Sequence, residues 1–413
     1  MDGRGRQAGA GTLNLRVLTL STLFPDASRP NFGIFVERQT RELAARAGVS
    51  LTVVAPVGVP PWPLASLGRY RALNALPLQE EWRGLDVHRP RFPILPAIGG
   101  RFHPGSIVRS VLPLVRRLHA QDAFDVIDAS FFYPDGPAAM HIAKGLGIPF
   151  SIKARGADIH HWGQKRATAP MIRAAAGVAS GLLAVSRAIR DDMIALGMDG
   201  EKIRVHYTGV DLDRFVPAND RAAAKEALGL SGPIVISVGA LITRKGQALL
   251  IRALADLPGV TLLLAGAGPE MAEYQKLAKA LGVMERVRFL GSVPHDQLPG
   301  LLAAADVMAL PSASEGLANA WVEALACGTP IVISDTGGAR ELIDSGQAGR
   351  IVPRDPAAIA KAIRALLNDP PDPQAVRQSA LRFTWTANGD ALLAHLEGIA
   401  ARPAIGRNPV EIG

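Results

Sequence analysis

The sequence predicts an α/β protein in which two doubly wound parallel-sheet domains of the Rossmann type face each other across a central cleft. The chain has 413 residues, a length that suits two domains. Short continuous apolar runs alternate with helix-length amphipathic segments, and such runs are typical of strands buried on both faces of a parallel sheet. The alternation occurs twice, with a break at Tyr207–Ala218, so two successive sheets are expected.

The predicted elements are short and mostly aliphatic. The strands expected in the first half are Leu15–Thr19, Leu51–Ala55, Val126–Ala129, Phe150–Ile152, Gly181–Val185 and Ile203–His206. Those expected in the second half are Ile234–Val238, Val260–Ala265, Val287–Leu290, Val307–Ala309 and Ile331–Ile333. The expected helices include Phe35–Arg46, Arg187–Leu196, Gly246–Ala255, Glu270–Ala280 and Pro356–Leu367. In open sheets of this kind, ligands bind beyond the carboxyl ends of the strands.

Composition excludes several classes of protein. Hydrophobic residues make up 48% and charged residues 20%, so the chain can bury two cores and is not disordered overall. The single cysteine, Cys327, excludes an internal disulfide, in agreement with a reducing cytoplasm. Arg16 interrupts the first apolar run, which argues against a signal peptide. No stretch approaches ~18 uninterrupted apolar residues, so no membrane span is expected.

The excess of basic over acidic residues is confined to the first half of the chain. Residues 1–207 contain 26 basic and 16 acidic residues, whereas the remainder contains 19 basic and 21 acidic ones. Within the first half, Arg69–Arg117 holds nine arginines and three acidic residues. This pattern favours an anionic membrane surface or a lipid diphosphate as a partner, and a merely solvated surface is the alternative. Nucleic acid is not expected, because no nucleic-acid-binding signature accompanies the charge.

The most informative stretch is Ala309–Ile333, ALPSASEGLANAWVEALACGTPIVI. It predicts a strand, a turn at Glu315–Gly316 and a helix from about Leu317 to Ala326, with Ser312 and Ser314 as candidate N-caps. Eight residues advance a helix by about two turns, so Glu315 and Glu323 are expected along one wall of a cleft. Amides at the helix start suit an anion or hydroxyl oxygens.

A family resemblance rests on this stretch and on five others in the same order. The supporting segments are Ser21–Leu43, Ala154–His160 (ARGADIH), the pair AVSRAIRDDM and VHYTGVDLDRF, Val238–Gly246 (VGALITRKG) and Gly328–Ile343 (GTPIVISDTGGARELI). Together with the two spaced glutamates, they resemble the retaining family-4 glycosyltransferases of the GT-B fold over about residues 13–400. The resemblance implies transfer of a hexose from a nucleotide diphosphate sugar, with retention of configuration, to a glycan or a lipid-linked acceptor.

The resemblance also assigns residues. It implies that Lys245, assisted by Arg244, binds the diphosphate, where charge grows as the glycosidic bond breaks. It implies that Glu315 holds hydroxyls of the donor sugar and that Glu323 accepts hydrogen bonds from the ribose. The remaining donor-binding positions that it implies are Gly33, Gly239, Gly266, Gly316, Leu317 and Asn319. No metal ion or cofactor is expected, because cationic side chains and helix amides suffice for the phosphate charge.

Two positions depart from the family pattern. Ala240 stands where an arginine often follows the glycine of the phosphate-binding loop. Arg155 stands where many relatives have a histidine that contacts the donor sugar. That contact is therefore assigned to Arg155, to His160 or to neither, while Asp158 either orients Arg155 or binds the acceptor. An ordinary polar loop is the alternative for His160.

Rival motifs are weaker. Gly266–Gly268 lacks the third glycine of a dinucleotide fingerprint, since Met271 occupies its place, and a tight turn near the nucleotide base is expected instead. Asp211 and Asp213 match a metal-binding Asp-x-Asp, but they lie in the linker. The two glutamates also suggest a glycosidase pair, which Lys245 disfavours. No HExxH or Walker sequence occurs. A nucleotide-sugar epimerase and a non-catalytic nucleotide-sugar-binding protein remain as alternative functions.

The expected domain division follows. Residues 1–12 and 403–413 are expected to be tails, 13–207 an N-terminal Rossmann-like domain on the acceptor side and 208–383 a C-terminal Rossmann-like domain that binds the nucleotide sugar. Residues 384–402 are expected to form a helix that crosses back to the N-terminal domain. The expected role is in cell-surface polysaccharide biosynthesis, in the cytoplasm or peripherally on the inner face of the plasma membrane.

Overall fold

The computed structural model describes residues 14–95, 100–343 and 346–401 and contains two parallel sheets. An eight-stranded sheet lies in the N-terminal half and a six-stranded sheet in the C-terminal half, and helices connect the strands. A small two-stranded ribbon accompanies the first sheet. The predicted α/β class with two parallel sheets is therefore confirmed. The expected tails, residues 1–12 and 403–413, lie outside the described residues.

The strands of the first half are β1 Leu15–Leu20, β2 Val49–Val54, β3 Val57–Val59, β4 Gln79–Trp82, β5 Leu85–His88, β6 Arg91–Pro93, β7 Val126–Ala129, β8 Phe150–Ala154, β9 Gly181–Ala184 and β10 Ile203–Val205. Those of the second half are β11 Ile234–Val238, β12 Thr261–Ala265, β13 Val287–Gly291, β14 Val307–Leu310, β15 Ile331–Ser334 and β16 Gly349–Val352. Each predicted strand coincides with one of these to within two residues at either end.

The helices of the N-terminal half are α1 Ile34–Ala44, α2 Gly68–Asn74, α3 His103–Gln121, α4 Asp135–Leu146, α5 Ala169–Val178 and α6 Arg187–Ala195. Those that follow are α7 Arg221–Ala227, α8 Gln247–Ala253, α9 Met271–Ala280, α10 Leu298–Ala304, α11 Asn319–Ala326, α12 Ala339–Leu342, α13 Pro356–Asn368, α14 Pro373–Gln378 and α15 Trp385–Ala400. Single helical turns lie at Leu64–Ser66, Gly100–Phe102, Asp158–Trp162, Gly200–Lys202, Thr243–Lys245, Leu254–Asp256 and Met284–Arg286.

Strand order places the functional edge of each sheet. The first sheet runs β10-β9-β8-β7-β1-β2-β5-β4, and only β4 is antiparallel to its neighbour. The second runs β13-β12-β11-β14-β15-β16 and is parallel throughout. The order reverses between β1 and β7 in one sheet and between β11 and β14 in the other. Crevices open at such reversals, so the loops after these four strands are where a ligand is expected.

The last helix joins the two halves. Thr384 caps α15 by accepting a hydrogen bond from the Ala387 amide at 3.0 Å. On the N-terminal sheet, Leu392 and Leu396 of α15 pack in one buried cluster with Leu15 of β1 and Leu43 of α1. The linker is bound at the start of this helix, because the Val210 amide donates to the carbonyl of Phe383 at 2.7 Å.

Candidate active site

A cleft of about 470 Å³ lies between the carboxyl ends of the two sheets. The N-terminal half contributes, among other residues, Leu23, Ile34, Phe35, Phe131 and Arg155. The predicted site residues of the C-terminal half that line the cleft are Gly239, Arg244, Lys245, Glu315, Gly316, Leu317, Asn319 and Glu323. Parallel strands end at the same edge of a sheet, and this brings together residues up to 84 positions apart in the sequence.

An ion pair occupies the centre of the C-terminal wall. Lys245 lies in the helical turn Thr243–Lys245 after β11, and its Nζ lies 2.5 Å from Oε1 of Glu315, in the loop after β14. Arg244 Nη1 lies 3.8 Å from Oε2 of the same carboxylate and donates to the carbonyl of Ser314. Glu315 is only 8% exposed. Two cations against one carboxylate leave a net positive charge facing the cleft, which suits a diphosphate.

Glycines let the loops of this wall approach closely. A Cβ atom on Gly266 would lie 1.9 Å from the carbonyl oxygen of Gly239, so the turn after β12 packs directly on the loop after β11. Gly266 itself is not among the residues that line the cleft; it supports Gly239, which is. A Cβ on Gly316 would lie 2.4 Å from the carbonyl oxygen of Arg155, so the two halves meet backbone to backbone here.

The start of α11 differs from the prediction. The helix begins at Asn319 rather than Leu317, and Ala318 stands at the N-cap position without a side-chain hydrogen bond. Neither predicted cap is correct. Ser314 Oγ lies 2.5 Å from Nδ1 of His160, and Ser312 Oγ, buried, has no hydrogen-bond partner among the described residues. The amides at the helix start therefore face the cleft without a side-chain cap, which leaves them available to oxygen atoms of a ligand.

Glu323 lies one helical turn beyond the start of α11 and is held by two residues that the sequence analysis missed. His295 Nε2 lies 2.8 Å from Glu323 Oε1, and Arg38 Nη2 of α1 lies 3.1 Å from His295 Nδ1. His295 lies in the loop after β13, four residues beyond the carboxyl end of the strand. That position was a usable signal, because side chains after a parallel strand face the crevice.

On the N-terminal side, the Arg155 guanidinium lies over the ring of Phe35, 4.8 Å from its centroid. Its Nε donates to the carbonyl of Ser130 at 2.7 Å. Burial lowers the pKa of Arg155 to about 10, although Asp128 and Asp158 oppose that shift. The guanidinium is thus fixed at the wall of the cleft, where it is able to contact a donor or an acceptor.

Two further predicted contacts do not face the cleft. The carboxylate of Asp158 is fully buried and accepts from the amides of Phe132, Arg155, Gly156 and Ile159 at 2.8–3.2 Å. It therefore orients the Arg155 loop, and the acceptor-binding alternative for Asp158 does not fit. His160 bridges the two halves, since its ring nitrogens bond Ser314 Oγ and, at 2.8 Å, Asp192 Oδ2. Both ring nitrogens are engaged by protein groups and His160 is not among the residues that line the cleft, so its contact with the sugar stays a prediction.

Gly33 supports the cleft from one residue away. Its left-handed backbone (φ 69°) precedes α1, and a Cβ there would lie 2.4 Å from the carbonyl oxygen of Leu23. The adjacent residues Leu23 and Ile34 line the cleft.

Across residues 14–95, 100–343 and 346–401, no group of three or more His, Cys, Asp or Glu residues is arranged to hold a metal ion. In the same residues, no helix has the length and apolarity needed to cross a membrane.

Comparison with known proteins agrees with this architecture. Residues 33–214 match the family described as Glycosyltransferase Family 4, and residues 219–383 match Glycosyl transferases group 1. TuaC of Bacillus subtilis, a candidate teichuronic acid biosynthesis glycosyltransferase, is 28% identical over 84% of this chain and 88% of its own length. A GDP-mannose-dependent alpha-(1-6)-phosphatidylinositol monomannoside mannosyltransferase of Mycolicibacterium smegmatis is 39% identical over 46% of this chain and 55% of its own length.

Solved structures share the fold. Sucrose-phosphate synthase from Thermosynechococcus elongatus superposes with a TM-score of 0.77 at 22% identity and covers 93% of this chain and 98% of its own. HepE from Anabaena in complex with UDP has a TM-score of 0.71 at 22% identity, over 93% of this chain and 100% of its own. The two sheets, the cleft between their carboxyl edges and the two matched segments lead to one conclusion: the chain is a glycosyltransferase of family 4 with the GT-B fold.

Proposed function

We propose that the protein is a retaining hexosyltransferase that moves a sugar from a nucleotide diphosphate donor to a glycan or lipid-linked acceptor, without a metal ion. The observation that carries this proposal is the Lys245–Glu315 pair at the reversal point of the C-terminal sheet, with Arg244 beside it. Glu323 lies on the same wall, eight residues further along the chain and one helical turn into α11. One wall thus holds cations for a diphosphate and carboxylates for hydroxyl groups.

Donor binding would rearrange the ion pair. The diphosphate takes over the Lys245 ammonium, and Glu315 then turns its oxygens to hydroxyls of the hexose. As the bond between the anomeric carbon and the phosphate oxygen breaks, negative charge grows on the leaving diphosphate. Lys245, Arg244 and the amides of Gly316 and Leu317 stabilise that charge, and one such donor is worth roughly 10²–10³ in rate.

Retention of configuration follows from where the acceptor reacts. The acceptor oxygen forms its bond to the anomeric carbon on the face that the diphosphate leaves. Its proton passes to the departing phosphate oxygen, so no separate side-chain base is needed. Arg155 and Phe35 form the opposite wall, where the acceptor is expected.

The relatives support a cell-surface acceptor. TuaC is named for teichuronic acid biosynthesis and the mycobacterial relative for a phosphatidylinositol mannoside. Transfer to such an acceptor at the inner face of the plasma membrane also suits an exposed segment of this chain. Trp62 is 83% exposed, Leu64 and Leu67 are also exposed, and Arg69 and Arg71 follow. Apolar tips beside arginines are suited to an anionic lipid surface.

A vesicle experiment tests the membrane proposal. The triple variant Trp62→Ser, Leu64→Ser, Leu67→Ser is expected to bind vesicles of phosphatidylglycerol and phosphatidylcholine at least fivefold more weakly in sedimentation than the unaltered protein. The matched control replaces Leu228 and Leu290, which are exposed in the C-terminal half, with serine. Equal loss in the control variant, or none in the triple variant, would contradict the proposed contact.

The main experiment identifies the donor and tests Glu315. Thermal-shift measurements with UDP, GDP and ADP sugars select the nucleotide, since a donor at a hundred times its Kd stabilises the protein by about 2.7 kcal/mol. Release of the nucleoside diphosphate is then measured with and without acceptor oligosaccharides. Acceptor-dependent release separates transfer from epimerisation and from simple binding, and NMR of the product shows the anomeric configuration. Glu315→Ala is expected to abolish transfer, and undiminished turnover in that variant would overturn the proposal.

A further inference from the structure

The loop between β13 and α10 joins the two halves of the protein at the donor-side wall. His295, in this loop, bonds Glu323 of α11 on one side and Arg38 of α1 on the other. A second contact holds the same loop, because Asn31 Nδ2 donates to the carbonyl of Val293 at 3.2 Å. Both Arg38 and Asn31 belong to the N-terminal half, so a residue that contacts Glu323 is itself held from across the cleft.

The hydrogen bonds fix which nitrogen of His295 carries the proton. A guanidinium only donates, so the Nδ1 atom that faces Arg38 must accept. The neutral imidazole then carries its hydrogen on Nε2, and this N–H donates to the carboxylate of Glu323. Arg38 therefore donates a hydrogen bond to His295, and His295 donates one to Glu323, so each hydrogen bond pairs one donor with one acceptor.

Packing restricts the imidazole ring to this position. The side chain of His295 is largely buried, and its ring meets the ring of Phe215 edge-on at 5.5 Å between centroids. Glu323 Oε1 is occupied by His295, while both residues line the cleft. Anchoring one carboxylate oxygen restricts rotation of the side chain and leaves Oε2 to receive a ligand, which lowers the entropy cost of binding.

We propose that His295, held by Arg38, is a positioning residue that orients the Glu323 carboxylate toward the ribose hydroxyls of the donor nucleotide. The inference rests on the proposed function, in which Glu323 binds the ribose. It adds that recognition of the ribose depends on a contact from the N-terminal half. The donor nucleotide would bind to the C-terminal half, but residues of both halves would contribute to its recognition.

Paired nucleotides with and without the 2′-hydroxyl test this role. Kd values for UDP and 2′-deoxy-UDP, GDP and 2′-deoxy-GDP, and ADP and 2′-deoxy-ADP are measured by calorimetry on the full chain, and the pair that binds is used. The unaltered protein is expected to prefer the ribonucleotide about tenfold. His295→Ala is expected to reduce that ratio to about twofold, with little change for the deoxynucleotide, whose binding also reports an intact fold.

Matched variants separate orientation from general damage. His295→Gln keeps an N–H donor near the Nε2 position and is expected to restore most of the preference, whereas Arg38→Met is expected to lower it about threefold. Arg41→Met is the control, because Arg41 lies on the same helix but pairs with Glu37, and it should leave the ratio unchanged. In the donor titration with a fixed acceptor, His295→Ala is expected to raise KM with kcat within twofold.

The outcomes distinguish this inference from the proposed function. If Glu323→Ala removes the preference for the ribonucleotide while His295→Ala retains it in full, the role of His295 is overturned and the ribose role of Glu323 stands. If Glu323→Ala retains the preference for the ribonucleotide, the ribose role of Glu323 and the positioning role of His295 are both overturned. An Arg41→Met effect as large as that of Arg38→Met would also overturn the inference, since the loss would then not depend on the bond to His295.

Discussion

The two walls of the cleft hold their charged groups in opposite ways. On the C-terminal wall, Lys245 and Glu315 face each other across one short contact at the surface of the cleft, and a ligand is able to replace that contact. Directly behind the N-terminal wall, Asp158 is fully buried and accepts hydrogen bonds from four backbone amides. The first arrangement suits exchange of partners during a reaction, whereas the second suits a fixed shape.

The interior behind the N-terminal wall strengthens this contrast. Lys153 is completely buried, and its Nζ lies 2.7 Å from both Gln39 Oε1 and His206 Nδ1. Burial lowers the pKa of Lys153 and of His206, and it raises the pKa of Asp128 to about 6. Burying a charged group in this interior costs desolvation free energy, and hydrogen bonds to neighbouring side chains offset part of that cost. The comparison of the two walls shows that a charged residue close to a cleft can serve the structure of the wall without lining the cleft.

The largest expected effect comes from breaking the exchangeable pair. Lys245→Met removes the ammonium that the leaving diphosphate needs, so kcat is expected to fall by roughly 10²–10³, the loss typical of one preorganised donor. The measurement is the initial rate of nucleoside diphosphate release at saturating acceptor. Because Glu315, in a nearly buried position, then loses the closer of its two cationic partners, a decrease of about 1–3 kcal/mol in the free energy of unfolding is also expected.

A surface pair of the same chemistry provides the control for Lys245. Lys276 and Glu273 on α9 lie 2.8 Å apart, and both are well exposed. Lys276→Met is expected to change neither the rate nor the stability measurably, because exposed pairs contribute little. A loss of rate in Lys245→Met of less than about fivefold would show that the C-terminal wall does not neutralise the leaving group, and the comparison of the two walls would fail.

The fold was predictable because its signals are local. Eleven short segments, most of them continuous apolar runs, predicted strands, and each belongs to one of the two parallel sheets, since strands buried on both faces need such runs. The strands that were not predicted individually have weaker patterns. The β4 strand, QEEW, carries three polar residues at the edge of the first sheet, and β16, GRIV, is a short edge strand with only two apolar aliphatic residues. Edge strands tolerate polar residues because one side faces solvent.

A site residue could be predicted only where the strand or turn that positions it lies next to it in the sequence. Glu315, Glu323 and Lys245 follow or precede recognisable strands, so their place at the cleft was expected. The start of α11 was misplaced because Ser314 contacts His160, 154 residues away, instead of capping the helix. His295 and Arg38 are 257 residues apart in the sequence. No local pattern indicates such a contact, which only the packing of the two halves creates.

The smaller expected effect is on the N-terminal wall, where Asp158→Ala should impair folding more than chemistry. Four amides lose a buried acceptor, and the free energy of unfolding is expected to fall by about 2–4 kcal/mol, measured by urea denaturation. Asp192→Ala is the matched control, because its carboxylate also accepts a hydrogen bond from the 158–162 turn but is 48% exposed, so a change below about 1 kcal/mol is expected. For the molecules that remain folded, the KM for donor should change less than threefold. A selective tenfold rise in the KM for acceptor, with stability unchanged, would place Asp158 in contact with the substrate and remove the distinction between the two walls.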